Sequence, residues 1–236
     1  MNVLFIKVLI LICTLQYING QTDYCDLCPD HIACNNTGTF SSKCPANAVI
    51  VNLSDSDKDL FVSVHNELRN KIAGGLLPGF STASDMFAVV WDPKLAYFAE
   101  LNVMQCEMRH DGCRNTENFP FAGQNIIARS SNYPQYPAVS ATIRGFINAW
   151  FNEYKAANQT QMTNCCQGSG HFTQVVQSRV VAIGCALARY GYTWKNDLMV
   201  CNYSFTNLIN SPVYNAGPTA SDCPDGTHEV YTNLCQ

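Results

Sequence analysis

The sequence predicts an α+β fold stapled by disulfides, and three observations carry that expectation. Segments of helical period, with recognisable start signals, occupy much of the middle of the chain. Short β-type runs close the domain, and 13 cysteines are spread from one end of the 236 residues to the other. The length is ordinary for one α/β domain and enough to bury a sizeable core.

The elements follow in order. Residues 1–20 carry Lys7, an apolar run from Val8 to Leu15 and a polar close at Asn19-Gly20. This reads as a secretory signal peptide, because a membrane span needs about 20 consecutive apolar residues. Residues 21–53 hold Cys25, Cys28, Cys34 and Cys44 among Asn, Thr, Gly and Pro, without helical or strand period. Such a loop-rich extension needs staples to be ordered. Ser54 three residues before Asp57 then gives a helix start, and Leu60, Val64, Leu68 and Ile72 form an apolar stripe that ends at Gly74-Gly75. His65 and Arg69 fall one position round from that stripe, at its edge.

Asp92-Pro93 is an N-cap with proline at the first helical position, opening a second helix to about Cys106. Gln124 to Ala128 suits a strand. Ile143, Ile147, Trp150, Phe151 and Tyr154 mark a third helix, with Glu153 beside its buried stripe, and that spacing assigns the aromatics to the core. Phe172–Gln177, Val181–Arg189 and Leu198–Phe205 read as an antiparallel meander. A tail over residues 211–236 follows, anchored by Cys223 and Cys235. No internal repeat is present.

Composition narrows the function classes. With 14 Lys and Arg against 18 Asp and Glu, and no basic cluster, nucleic acid is not an expected partner. Beyond the leader no run could anchor the chain in a membrane. Cys13 leaves with that leader, and the twelve remaining cysteines, an even number bound for an oxidising compartment, read as disulfides. Cys25-Asp26-Leu27-Cys28 has zinc-site spacing, but secretion favours bridges. Sequons stand at Asn35, Asn52, Asn158 and Asn202. The first three are expected to carry glycans; Asn202 lies in a predicted strand beside Cys201 and is expected to be bare.

Four separated signatures then coincide: His65-Asn66-Glu67-Leu68-Arg69, Gly123-Gln124-Asn125-Ile126, Gly170-His171-Phe172-Thr173-Gln174-Val175-Val176 and Cys201-Asn202-Tyr203, with Trp150-Phe151-Asn152-Glu153 between. Together they resemble the CAP superfamily of cysteine-rich secretory proteins, venom antigen 5 and plant pathogenesis-related proteins, over about residues 54–210. Tyr24-Cys25, Cys28, His31-Ile32-Ala33-Cys34 and Cys44 resemble the amino-terminal extension of insect antigen 5 proteins. The resemblance implies a three-layer α-β-α sandwich. It also implies pairing of Cys25 with Cys34, Cys28 with Cys113, Cys44 with Cys106 and Cys185 with Cys201, leaving Cys165, Cys166, Cys223 and Cys235 open.

The resemblance further implies a central cleft lined by His65, Gln124, Glu153 and His171. In the family pattern two imidazoles and two carboxylates can hold a divalent cation such as zinc, here with His65 and His171 as the ligands, although no cofactor is required. Gln124 stands where the fuller family pattern has an acid, which lowers the charge available to a cation. Without that metal the histidines are buried polar residues satisfied by Glu153 and backbone. Ser169, two residues before His171 and flanked by glycines, is a turn residue and not a nucleophile. The resulting expectation is a secreted, extracellular, non-enzymatic protein that binds a small apolar ligand such as a lipid or sterol, or engages a protein. A metal-assisted hydrolase and a structural component of a secretion are the alternatives.

Overall fold

The computed structural model describes residues 22–166 and 168–236. The leader expected over residues 1–20 lies outside them. The elements are α1 (Tyr24–Leu27), β1 (Val49–Ile50), α2 (Asp55–Ala73), β2 (Val90–Trp91), α3 (Pro93–Val103), β3 (Gly123–Ser131), α4 (Val139–Phe151) continuing as a 3-10 turn (Asn152–Ala156), α5 (Gln159–Thr163), α6 (Gly170–Val175), β4 (Ala182–Tyr190) and β5 (Lys195–Tyr203). One sheet of order β1-β4-β5-β3 forms the middle layer, with β2 pairing in parallel to β4. The β4–β5 and β3–β5 pairs are antiparallel, and Cys185 lies opposite Cys201.

Alternation along β4 and β5 assigns the two faces. Ile183, Cys185, Leu187, Met199, Cys201 and Tyr203 face α2, α4 and α6 in the main core, whereas Ala186, Ala188, Leu198 and Val200 face Ala99 and Val103 of α3. The α3 backbone presses directly on β4. A Cβ at Gly184 would overlap the backbone of Asp92, Leu95 and Ala96, so only glycine lets the helix lie this close.

Local chemistry starts the two long helices as the sequence indicates. Ser54 accepts from Asp57 N while the Asp57 carboxylate accepts from Ser54 N, a reciprocal cap, and Asp92 accepts from Leu95 N at 2.7 Å ahead of Pro93. The buried face of α2 differs from the expected one. Leu60 and Leu68 are only partly buried, and the deepest stripe is Phe61, His65, Arg69 and Ile72, each fully enclosed. Two polar side chains occupy core positions there because both are saturated with hydrogen bonds.

Arg69 donates to five carbonyls. Its Nε and Nη2 reach Phe87 O at 3.0 and 2.6 Å, and its Nη1 reaches Val175 O and Gln177 O, both at 2.9 Å. Nη2 also reaches Val180 O at 3.1 Å and Ser178 O at 3.4 Å. Beside it, the Asn66 amide pairs with both backbone groups of Val89. The His65-Asn66-Glu67-Leu68-Arg69 signature therefore ties α2 to the segments around residues 87–89 and 175–180.

Phe172–Gln177, expected as a strand, begins inside the helix α6 and runs two residues past its end at Val175. A continuous buried run does not separate the two choices by period. Helix prevails because the Thr173 hydroxyl bonds back to Ser169 O and Gly170 O, both at 3.1 Å, and a carboxylate from the preceding layer caps the first turn. The third antiparallel partner in the sheet is β3 instead. Trp150 and Phe151 are in the core, as their spacing indicates.

Disulfides join Cys25–Cys34, Cys28–Cys113 and Cys44–Cys106, fastening the extension to the α3–β3 connection. The others are Cys165–Cys166, Cys185–Cys201 and Cys223–Cys235. Asn35, Asn52 and Asn158 are exposed, whereas Asn202 is fully buried. Among the described residues no helix is long and apolar enough to cross a membrane.

Burial pushes the His65 imidazole down to about 4, with the neighbouring Arg69 charge acting the same way against the Phe61 carbonyl. His31, enclosed beside Tyr24 and Phe98, is also lowered by burial. Both rings fold neutral, so below the unfolded value of about 6.5 the unfolded chain binds protons the folded chain refuses. The stability these rings contribute is expected to fall as pH drops from about 6.5 towards about 4, His65 accounting for on the order of 3 kcal/mol, while the lowered carboxyls of Glu117, Glu107 and Asp55 carry the loss to lower pH. Denaturant titrations across this range test the slope, and an NMR titration assigns it. A His65 ring that protonates near pH 6.5 in the folded protein would contradict the account.

Candidate functional site

A cleft of about 530 Å³ opens between the end of the α3–β3 connection, β3, the 3-10 turn and α6. Its lining is polar: His110, Arg114, Gln124, Asn125, Glu153, His171, Gln174 and Asn207 supply side chains. Two walls face each other across it.

On the first wall Gln124, in β3, sits at the centre of an amide network. Its Oε1 lies 2.8 Å from His110 Nδ1, and its Nε2 donates to Asp111 Oδ2 at 2.6 Å and to Asn202 Oδ1 at 3.0 Å. Since Oε1 can only accept, this bond places a proton on Nδ1 of His110. Asp111 is held in turn by Arg114. Burial lowers the Arg114 guanidinium against the pull of Asp111. Asn202 completes the wall by donating to Leu95 O.

The second wall is built on Glu153. One carboxylate oxygen meets His171 Nδ1 at 2.6 Å, while the other accepts from His171 N at 3.1 Å and Phe172 N at 3.2 Å. Ser169, at the N-cap of α6, makes no side-chain cap, so Glu153 supplies one from outside the helix. The same bond orients the His171 ring, leaving Nε2 as its free nitrogen. Trp150 backs the ring in a stacked arrangement, with centroids 6.2 Å apart.

Gln124, Glu153 and His171 therefore line one cleft, but His65 does not. It is fully buried, with Nδ1 2.7 Å from Phe61 O and Nε2 3.0 Å from the Tyr203 hydroxyl. Carbonyl and hydroxyl together fix a neutral tautomer with no lone pair to spare, so His65 and His171 do not form a metal pair. The second cleft histidine is His110, which sequence reasoning passed over. Its only signal was position, in a polar loop between Cys106 and Cys113 beside an acid. His65 reaches the cleft through one relay: Asn125 Nδ2 donates to Tyr203 Oη at 3.3 Å and to His171 O at 3.1 Å.

Among the described residues, no group of three or more His, Cys, Asp or Glu side chains is gathered closely enough to hold a metal ion. Ser169 is buried, and its hydroxyl points to Glu153 O at 3.4 Å. A second groove, of about 510 Å³, lies between the β1–α2 connection and α3. Its walls include Ile50, Val51, Leu53, Trp91, Ala96 and Tyr97.

The sequence matches the model of the CAP cysteine-rich secretory protein family over residues 62–203. The chain belongs to the CAP family. Venom allergen-1 of Aedes aegypti is 38% identical over 224 residues, covering 90% of this chain and 87% of that protein. The antigen 5 like allergen Cul n 1 of Culicoides nubeculosus is 46% identical over 165 residues, 68% of this chain and 74% of that one. The crystal structure of NaASP2 with Zn2+ shares the fold, with a TM-score of 0.65 and 23% identity over 82% of this chain and 100% of that one. The antigen 5-like resemblance read from the motifs and the α+β sandwich are both present in this CAP chain.

Among the described residues Glu153 is the carboxylate that caps α6, so Glu153→Ala is expected to destabilise by about 1–2 kcal/mol, because two half-buried amides and an imidazole lose their acceptor. Glu153→Gln keeps one acceptor oxygen and should recover part of that loss. Urea denaturation of the three proteins measures it, and an alanine variant as stable as wild type would show that the carboxylate does not hold the wall.

Proposed function

We propose that this chain is a secreted, extracellular antigen 5-like CAP protein that works by binding and not by catalysis. The observation that carries this reading is the commitment of the cleft carboxylate, Glu153, to structure and the amide at Gln124, which leave the Nε2 atoms of His110 and His171 as the groups able to move a proton. Gln124 cannot exchange a proton at all. Both Glu153 oxygens are committed to α6 and His171. The Ser169 hydroxyl donates to the Glu153 carbonyl at 3.4 Å and not to an imidazole. A metal-assisted hydrolase would need a bound water activated by a cation and a base free to accept its proton. The Nε2 atoms of His110 and His171, with no uncommitted carboxylate beside them, are a thin basis for both.

The cleft's chemistry favours a small polar ligand or a weakly held divalent cation such as zinc, with His110 and His171 as donors in place of His65. Asn207 supports an occupant, because its Oδ1 lines this region buried and without a partner among the described residues. An amphipathic ligand such as a lipid or sterol would be accommodated by the second groove, whose aliphatic and aromatic walls also carry Asn52, Lys58 and Glu100.

Zinc titration by calorimetry on wild type, Gln124→Glu and His171→Ala tests the cleft, run beside ester and peptide hydrolysis screens. Weak wild-type binding should strengthen roughly tenfold in Gln124→Glu, where a carboxylate replaces an amide, and disappear in His171→Ala. Wild-type hydrolysis abolished by His171→Ala without loss of fold would overturn the binding reading.

A further inference from the structure

The end of the sheet where β4 turns into β5 carries exposed aromatics that the core and the cleft do not use. Tyr192 is 68% exposed, Trp194 58% and Tyr133 48%, with Val49 beside them at 53%. Strand register brings these positions together. Ser131 pairs with Lys195, placing Tyr133 two residues beyond the sheet at the hairpin, and Val49 pairs with Arg189. Among the described residues none of the three rings stacks on another ring.

The backbone beneath them is firmly held. Asn47 Oδ1 accepts from Gly191 N at 3.0 Å and its Nδ2 donates to Gly191 O at 2.8 Å. Asn196 Nδ2 donates to Tyr190 O and Trp194 O, and Tyr136 Oη donates to Tyr190 O at 2.9 Å. Gly191 takes φ +95°, and a Cβ there would overlap Trp194 O, so the turn is available to glycine alone. Three separate segments thus clamp a tip whose side chains are left in water. A rigid tip loses little conformational freedom when it docks.

Its charge is one-sided. Residues 44–49, 130–138 and 190–196 include Lys195 and no Asp or Glu. Directly behind, Arg129 and Arg189 share the single buried Asp197, at 3.0 and 2.9 Å. The chain as a whole carries a formal charge of −4, so an anionic surface would repel the rest of the molecule and attract this end. Tryptophan and tyrosine carry an apolar body with one polar atom, which suits the boundary between headgroups and acyl chains, and the half-buried Lys195, whose Nζ donates to Tyr192 O at 3.3 Å, keeps two further donors for phosphate.

We propose that the β4–β5 tip, through Tyr192, Trp194, Tyr133 and Lys195, is a docking surface for the interface of an anionic phospholipid bilayer. The rings would also accept a sugar face, but a neutral glycan supplies no charge for Lys195 and the arginines behind it. Phosphate does.

Trp194 makes the proposal measurable, since Trp150 is buried and Trp91 half-buried, leaving Trp194 as the exposed tryptophan. The full chain is mixed with phosphatidylcholine vesicles and with mixed phosphatidylcholine–phosphatidylserine vesicles, and partitioning is read by flotation. Binding should favour the mixed vesicles, shift Trp194 emission to the blue and expose it to quenching by brominated acyl chains. Tyr192→Ala with Trp194→Ala should reduce partitioning roughly tenfold or more, and Lys195→Glu should remove the preference for phosphatidylserine. Circular dichroism verifies that each variant keeps its fold. Wild type that does not float with either vesicle, partitioning retained by the double variant, or binding confined to neutral glycans on an array would each overturn the proposal.

Discussion

The arrangement depends first on a guanidinium that, among the described residues, touches carbonyls and no carboxylate, with Asp85 acting on it through its charge alone. Arg69 is fully enclosed, and burial pushes it down to about 9, so it stays charged at neutral pH inside the protein. Burying an ion without a counter-ion is costly unless polar groups surround it. Here the carbonyls of Phe87, Val175, Gln177, Ser178 and Val180 do so. A lysine could not serve as well, because an ammonium has three donors and no planar fork. Val175 ends α6, where carbonyls are left without helical partners and carry partial negative charge. One side chain from α2 therefore fixes the far end of the helix whose first turn carries His171.

The near end of that helix is fixed by Glu153, and the two restraints define the second wall of the cleft between them. The first wall is held by different means. His110, Asp111 and Arg114 lie on a connection pinned by the Cys44–Cys106 and Cys28–Cys113 bridges, so the amino-terminal extension stiffens a segment with no regular secondary structure of its own. Asn125 joins the halves, giving one proton to the backbone of His171 and the other to the Tyr203–His65 pair. Burial raises the Tyr203 phenol, which keeps its proton available for His65.

What the sequence disclosed follows the same division. Features decided by near neighbours were legible: the Ser54–Asp57 cap, the Asp92-Pro93 start, the two long strands of the closing hairpin and the core position of Trp150. Features decided by distant partners were not. His65 and Arg69 were placed at the edge of an apolar stripe because period weighs residue type, and type does not show that five carbonyls and a tyrosine hydroxyl wait for them. The run from Phe172 to Gln177 reads as a strand in sequence because the caps that make its first part a helix come from Glu153 and Arg69, elsewhere in the chain. His110 went unseen because a loop residue has no period, and its cleft position is created by Gln124 and two disulfides.

The central claim is that Arg69 sets the position of the cleft's second wall. Hydrogen exchange read by mass spectrometry on wild type and Arg69→Lys tests it most directly, because lysine keeps the charge and loses the fork. The account predicts faster exchange concentrated in residues 170–180, with β4, β5 and α3 as protected as in wild type. Unchanged protection of residues 170–180, or an increase spread evenly over the sheet, would contradict it.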